Sequence, residues 1–431
     1  MSQPSRLLRH PMLAPFRVAR YRLQWPSDLL TSWAFEMETL ILGWYVLVET
    51  RSVLALTVFG ALQFLGTLLS PMLGMLGDRL GHTRVLCGMR ATYTALAVVL
   101  MTIAFAGVLT PAVVLVIAAL NGLVRPSDLA LRQTITAETM PPELLVGGMG
   151  LTRTTSDLAR IGGALAGAGL FATLGMGRAY VCVTLCYGLG LLLTARPRLP
   201  APERASPATL ARALIPLPPP MIAKSPWHEL REGLVYVWSR PHMLAGMWLA
   251  FLVNLTAFPL SGGLLPYVAR EVYHIDQTGL GLLVASFAIG GLAGSVALTM
   301  MGRNFRAGRM SILFAFAWYA GLLAFAQMRT ALPGSAVLVV AGFAQSLSMV
   351  PLAVMLLRTS DEKFRGRVMG VRMLAIYSLP MGLLLAGALI ERIGFHATAT
   401  LYAVVGLVVT ALIGLRWRHA IWAPQAVANA R

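Results

Sequence analysis

Seven ionisable side chains stand inside long apolar runs and set the first question of chemistry: Glu36 and Glu38 in one run, Arg125 and Asp128 in a later one, and Arg153, Asp157 and Arg160 in the next. A charged group within hydrocarbon is costly unless it faces a cavity or a partner, so each is a candidate for function. Desolvation penalises a carboxylate, which suits a buried glutamate or aspartate to take up and release a proton, or to neutralise a cationic guest. Glu36 and Glu38 lie roughly 12 to 15 Å into their run at the helical rise. Being two residues apart, they point to nearly opposite faces of a helix. The expectation is that Glu38, with Tyr45 at i+7 on its face, meets a central cavity, and that Glu36 meets neighbouring helices. A structural glutamate bonded to another helix is the alternative. Arg153, Asp157 and Arg160 form one stripe at i, i+4 and i+7. There Asp157 can pair with either arginine or with Arg125, as a structural network or as a second proton carrier. Asp128 and Arg132 are spaced for a local i, i+4 pair.

Other chemistries lack their residues. Cys87, Cys182 and Cys186 all lie in apolar runs with no neighbouring His or carboxylate, so neither a disulfide framework nor a metal site is expected. The small-residue segment IGGALAGAGL after Arg160 permits close helix approach. It is no nucleotide fingerprint, because a phosphate-binding glycine loop follows a strand and opens a helix. No metal-ligand cluster or nucleophile elbow is present, so no enzyme and no cofactor are expected.

The elements that must hold these residues follow from composition. Apolar residues make up 57% of the 431 positions and charged residues 12%, with a mean hydropathy of +0.72, against about a quarter charged in soluble domains. About 20 apolar residues span a bilayer. The sequence offers twelve such runs, the first near Leu29 to Val48 and the last near Thr398 to Leu415. The net charge of +18 resides in the short loops between runs, so it reads as membrane topology and excludes a nucleic-acid partner. One set of alternate loops carries Arg6 to Arg22, Arg79, Arg84, Arg90, Arg306 and Arg309, whereas the other holds single arginines such as Arg51, Arg178 and Arg270. The positive-inside rule then places both termini in the cytoplasm of a multi-pass plasma (inner) membrane protein. A Pro-rich stretch with LPLPPP divides the chain. The expected organisation is a cytoplasmic tail (1–28), a six-helix bundle (29–194), a cytoplasmic linker (195–242), a second six-helix bundle (243–415) and a cytoplasmic tail (416–431). Within the linker, Trp227, Leu230, Leu234 and Val237 are spaced as one face of an amphipathic helix.

The loop between the second and third runs reads GMLGDRLGHTR, Gly74 to Arg84. With twelve spans and a central linker, it resembles the signature loop of the major facilitator superfamily. METLILGWYVLVETRS (Met37 to Ser52) and RGRVMG (Arg365 to Gly370) are similar to the branch containing the enterobactin exporter and macrolide efflux proteins. The resemblance implies an all-α membrane fold, two six-helix bundles related by a pseudo-two-fold axis. It also implies a gating role for Gly74, Asp78, Arg79, Gly81 and Arg84, in which Asp78 binds the start of span eleven and an arginine on span four. Arg132 is the candidate. The glycine-rich fifth span, as in antiporters of the superfamily, supports antiport.

Asn254 in NLTAFPLSGG, Gln345 and Tyr377 are uncharged polar candidates for lining a substrate cavity in the second half. One acidic and one apolar side would suit a hydrophobic, amphipathic or cationic small molecule. The expected function is proton-coupled efflux by alternating access, with protons, the lipid bilayer and a drug-like or siderophore-like substrate as the partners of a monomer. The alternatives are proton-linked uptake of a nutrient or metal chelate, and a non-transporting membrane sensor.

Overall fold

The computed structural model describes residues 11–67, 76–77, 79–196, 226–301, 306–361 and 364–422. Among the described residues the chain is helical, without a strand. Eight stretches are long and apolar enough to cross a membrane. Two of them turn back on themselves at glycines with positive φ, Gly175 (φ 74°) and Gly394 (φ 79°), a backbone region that costs glycine little. Each therefore makes two passes. With α1 (Ala19–Thr50) and α2 (Val53–Leu62, extended by a tight turn Leu65–Thr67), the passes among the described residues number twelve. The others are α3 (His82–Phe105), α4 (Pro111–Thr139), α5 (142–174), α6 (176–195), α7 (Pro241–Val272), α8 (Gln277–Met300), α9 (Ala307–Gln327), α10 (Ala331–Thr359), α11 (365–393) and α12 (395–416).

Helix α1 begins at Ala19, not near Leu29, and runs unbroken through Pro26. Hydropathy alone starts it too late, because its first turns are polar yet supplied with partners. Trp25 Nε1 donates to Thr155 Oγ1 at 2.8 Å, and Gln24 Nε2 donates to Thr136 Oγ1 at 3.0 Å. The short helix Pro226–Trp238 also departs from expectation: Tyr236 and Val237 are buried against Met243, Leu356 and Val371, while Leu234 is exposed. The side chains of Trp227 and Leu230 lie outside the described residues.

Helices approach at glycines, and the same approaches recur in both halves. A Cβ on Gly66 would stand 1.9 Å from the Leu123 carbonyl oxygen, and one on Gly122 2.0 Å from that of Leu62, so α2 and α4 touch backbone to backbone. The matching pair is α8 and α10, where a Cβ on Gly290 would meet Val339 O at 1.9 Å and one on Gly342 would meet Phe287 O at 2.0 Å. Likewise α5 rests on α1 through Gly167 at Met37, and α11 on α7 through Gly382 at Leu255. Small residues are what permit such spacing between spans.

Contacts between the halves gather at the end away from the termini. Arg270 Nη1 on α7 donates to Leu47 O on α1 at 2.8 Å. Leu383 on α11 lies against both Gly60 on α2 and Gly263 on α7, and Gly281 on α8 against Ala168 on α5. Along α7, three wide turns (Val253–Ala257, Pro259–Gly263, Val268–Val272) surround Pro259 and Pro266. The helix widens there and stays continuous.

Candidate functional site

Charge divides the molecule more sharply than shape does. Asp28, Glu38, Arg90, Asp128, Arg132 and Asp157 are the charged side chains buried among the described residues, and all lie in the first half. Burial of a charge demands a partner or several hydrogen bonds.

Glu38 is 5% exposed and sits midway along α1. Its Oε2 accepts from Tyr187 Oη at 2.7 Å, and its Oε1 from Tyr180 Oη and Asn121 Nδ2, each at 3.3 Å. The two tyrosines are one face of α6, seven residues apart, and Asn121 belongs to α4. Beside the carboxyl lies a small cavity of about 20 Å³ lined also by Gln63 and Arg125. Arg125 donates to Gln63 Oε1 and, at 3.2 Å, to Thr39 Oγ1, and its guanidinium stands 4.6 Å from the centroid of the Phe35 ring. A carboxyl held by neutral donors can accept a proton without breaking an ion pair. Tyr187→Phe removes the shortest of these bonds, and losing a buried donor costs about 1–3 kcal/mol. It is expected to lower the melting temperature and slow transport more than Tyr180→Phe, as read by thermal unfolding and proteoliposome flux of the two variants.

A second cluster joins the beginning of α1 to α3, α4 and α6. Arg90 donates to Asp28 Oδ1, Ser27 Oγ and Thr194 Oγ1. Arg132 Nη2 lies 2.5 Å from Asp128 Oδ2 and Nε 3.7 Å from Asp28 Oδ1, while its Nη1 donates to Ser32 Oγ at 2.8 Å. Two arginines face two aspartates, so the cluster is neutral as a whole.

Several expected placements change. Glu38 does not face a cleft between the halves: it is enclosed within the first bundle, because α4 and α6 bring three donors to it. Glu36 lies at the α5 contact, with Arg160 Nε at 3.8 Å from its Oε1. Tyr45 does not share the Glu38 cavity but donates to Leu109 O at 2.8 Å, capping the turn between α3 and α4. Arg125 donates towards α2, where the Gly122 contact brings α4 against Gln63. Arg132 has its described carboxylate partners within its own bundle. Asp157 is buried on α5. Gly74, Asp78 and the Arg153 side chain lie outside the described residues, while Arg79 and Arg84 are exposed and Gly81 turns the chain at φ 90°. In the second half Asn254 Nδ2 donates back to Ala250 O at 2.8 Å, so it is bonded along its own helix. Gln345 is buried near Gly291, and Tyr377 is half-buried at the start of α11's apolar stretch.

Sequence reasoning missed Asp28, Arg90, Asn121, Tyr180 and Tyr187. A signal existed for the tyrosines, which repeat at i and i+7 in span six. Arg90, flanked by Met89 and Ala91 two turns into its run, also differs from the loop arginines with which it was grouped.

Known proteins are consistent with this architecture. The solved structure of the POT family transporter PepTSo superposes with a TM-score of 0.71 at 11% identity, covering 94% of this chain and 98% of that one. A D-xylose-proton symporter gives 0.65 at 15% identity, with coverage of 90% and 95%. In sequence, the chain is 28% identical over 169 residues to the multidrug efflux pump Tap of Mycolicibacterium fortuitum, a match spanning 39% of this chain and 41% of that protein. The profile of the Major Facilitator Superfamily matches residues 29–381 and 247–427. With twelve helical passes, backbone contacts repeated in both halves and a family match over most of its length, the chain belongs to the Major Facilitator Superfamily of membrane transporters.

Proposed function

We propose that this transporter exports hydrophobic, amphipathic or cationic small molecules in exchange for protons, with Glu38 as the proton-carrying group. The observation that carries this reading is the Glu38 carboxyl, buried midway along α1, bonded to three neutral donors and bordering the cavity that holds Arg125. Protonating it changes the charge of that cavity by one, and a guest that prefers either charge state is thereby coupled to the proton. Partial likeness to a multidrug efflux pump supports export. The second half offers a buried apolar surface with neutral polar groups, which suits such guests. With the termini in the cytoplasm, the gathered contacts at the far end close the outside, and the described conformation is the inward-facing one of an alternating cycle. The acidic loop residue Asp78, with Arg79, Gly81 and Arg84, would then serve the opposite, outward-facing state.

The test is accumulation of lipophilic cationic dyes and siderophores by proteoliposomes under an imposed pH gradient. Glu38→Gln is expected to reduce gradient-driven accumulation to that of empty liposomes while substrate exchange persists. Normal accumulation in the variant would make Glu38 structural. Accumulation with the gradient in the sense of co-transport would establish uptake instead.

A further inference from the structure

At the end of the first half nearer the termini, a cleft of about 60 Å³ opens where α1 and α3 begin and α6 ends. Arg20, Thr83, Arg90, Thr194 and Arg196 surround it among the described residues. Arg90, 1% exposed, forms the floor. Its charge is met from behind by Asp28, yet its buried Nε has no hydrogen-bond partner. Arg20 Nη2 donates to Thr83 Oγ1 at 3.2 Å, which holds that side chain across the mouth. Arg196 is exposed just past the last turn of α6. Three guanidinium groups, those of Arg20, Arg90 and Arg196, therefore line one concave space. The transport reading assigns this space no task.

The chemistry that fits is a phosphate group, which accepts from several guanidinium donors at once. The walls favour one source of it. Leu23, Leu86, Ile135 and Leu193 line the cleft. Along α6 from its rim, Leu192, Leu189 and Leu185 are 63%, 49% and 58% exposed, a continuous apolar track running away from the helix end. Arginines at helix ends stand at headgroup depth in a bilayer. We infer that the cleft is a binding site for an anionic phospholipid, with its phosphate held between Arg20 and Arg196 above Arg90 and its acyl chains along α6. Three guanidinium groups around one space favour a net anionic headgroup over a zwitterionic one.

The experiment is lipid retention by the detergent-purified full chain, measured by native mass spectrometry after exchange against phosphatidylglycerol or phosphatidylcholine. The native protein is expected to retain phosphatidylglycerol in preference, and the double variant Arg20→Gln with Arg196→Gln to lose that preference by on the order of thirtyfold, from about one kcal/mol for each basic residue near the headgroups. The double lysine variant at the same positions is expected to keep most of it. Arg416→Gln with Arg418→Gln, the same charge change at the far end of the chain, is expected to leave retention unchanged. Equal loss in that control would reduce the effect to diffuse surface charge and overturn the site. So would undiminished retention in the Arg20 and Arg196 variant. Inorganic phosphate displacing the lipid at millimolar concentration while itself binding to the native chain would assign the cleft to a soluble phosphate and overturn the lipid. Unchanged melting and elution profiles verify that each variant is folded.

Discussion

Gly342→Val is expected to yield no assembled transporter: a fluorescent fusion should show little protein in the membrane, and what is solubilised should elute as aggregate. A Cβ at this position would stand 2.0 Å from Phe287 O and 3.0 Å from Gly291 N. Both are backbone atoms of α8, so no change of rotamer relieves the clash and the helices must part. Overpacking a core that can adjust its side chains already costs about 1–3 kcal/mol, and a displaced span also loses its neighbours' packing. Gly290→Val should fail in the same way from the other side, because its Cβ would meet Val339 O at 1.9 Å. Gly291→Ala is the control. Its nearest contacts would be Gln345 Oε1 at 3.8 Å and Gly342 O at 3.9 Å, which is ordinary van der Waals distance, so that variant should express and elute as the native chain does. Failure of Gly291→Ala together with good behaviour of Gly342→Val would mean that the crossing of α8 and α10 is not set by these glycines.

Arg90→Leu should be the most damaging change to a charged residue. It leaves Asp28 without the guanidinium that binds its Oδ1, and Arg132 Nε, at 3.7 Å, approaches that oxygen without replacing the bond. Removing one member of a buried pair costs about 3–5 kcal/mol, because the other charge remains buried. Asp28→Asn combined with Arg90→Gln removes both charges and keeps groups able to bond, so it should recover a substantial part of the loss. Thermal unfolding of the native chain, Arg90→Leu and the double variant in one detergent checks it. A double variant no more stable than Arg90→Leu would show that Asp28 is not what makes Arg90 necessary.

The twelve passes could be seen in the sequence because apolar length is a strong constraint on anything that crosses a bilayer. The start of α1 could not. Gln24, Trp25 and Ser27 look like loop residues until α4, α5 and α6 supply their hydrogen bonds. Glu38 stood out for the cost of burying it, whereas its partners Tyr180, Tyr187 and Asn121 are neutral and carry no such mark. Arg90 was grouped with the loop arginines because counting positive residues near span ends does not separate one that reaches the headgroups from one that folds inward to Asp28. Tyr45 shared a helical face with Glu38, as its spacing requires, but a helix face seven residues long meets different neighbours at its two ends. The matching glycines of α2 with α4 and of α8 with α10 are visible as residues in the sequence. Their function as backbone contacts depends on crossing points that one sequence does not reveal.

The buried pairs also have an order in time. Helix α1 is synthesised first, carrying Asp28, Glu36 and Glu38, while every cation that answers them lies later in the chain. Arg90 follows Asp28 by 62 residues, which at roughly 5–20 residues per second is about 3–12 s of elongation. Arg160 arrives on α5, later still. During that interval Asp28 and Glu36 lack the guanidinium groups that meet them in the folded bundle, and Glu38 lacks its tyrosine and asparagine donors. The lateral release of α1 into lipid is therefore tied to the arrival of α3 and α4, and the first bundle must be inserted as a group of spans, whereas the second, free of buried charge among its described residues, can enter helix by helix.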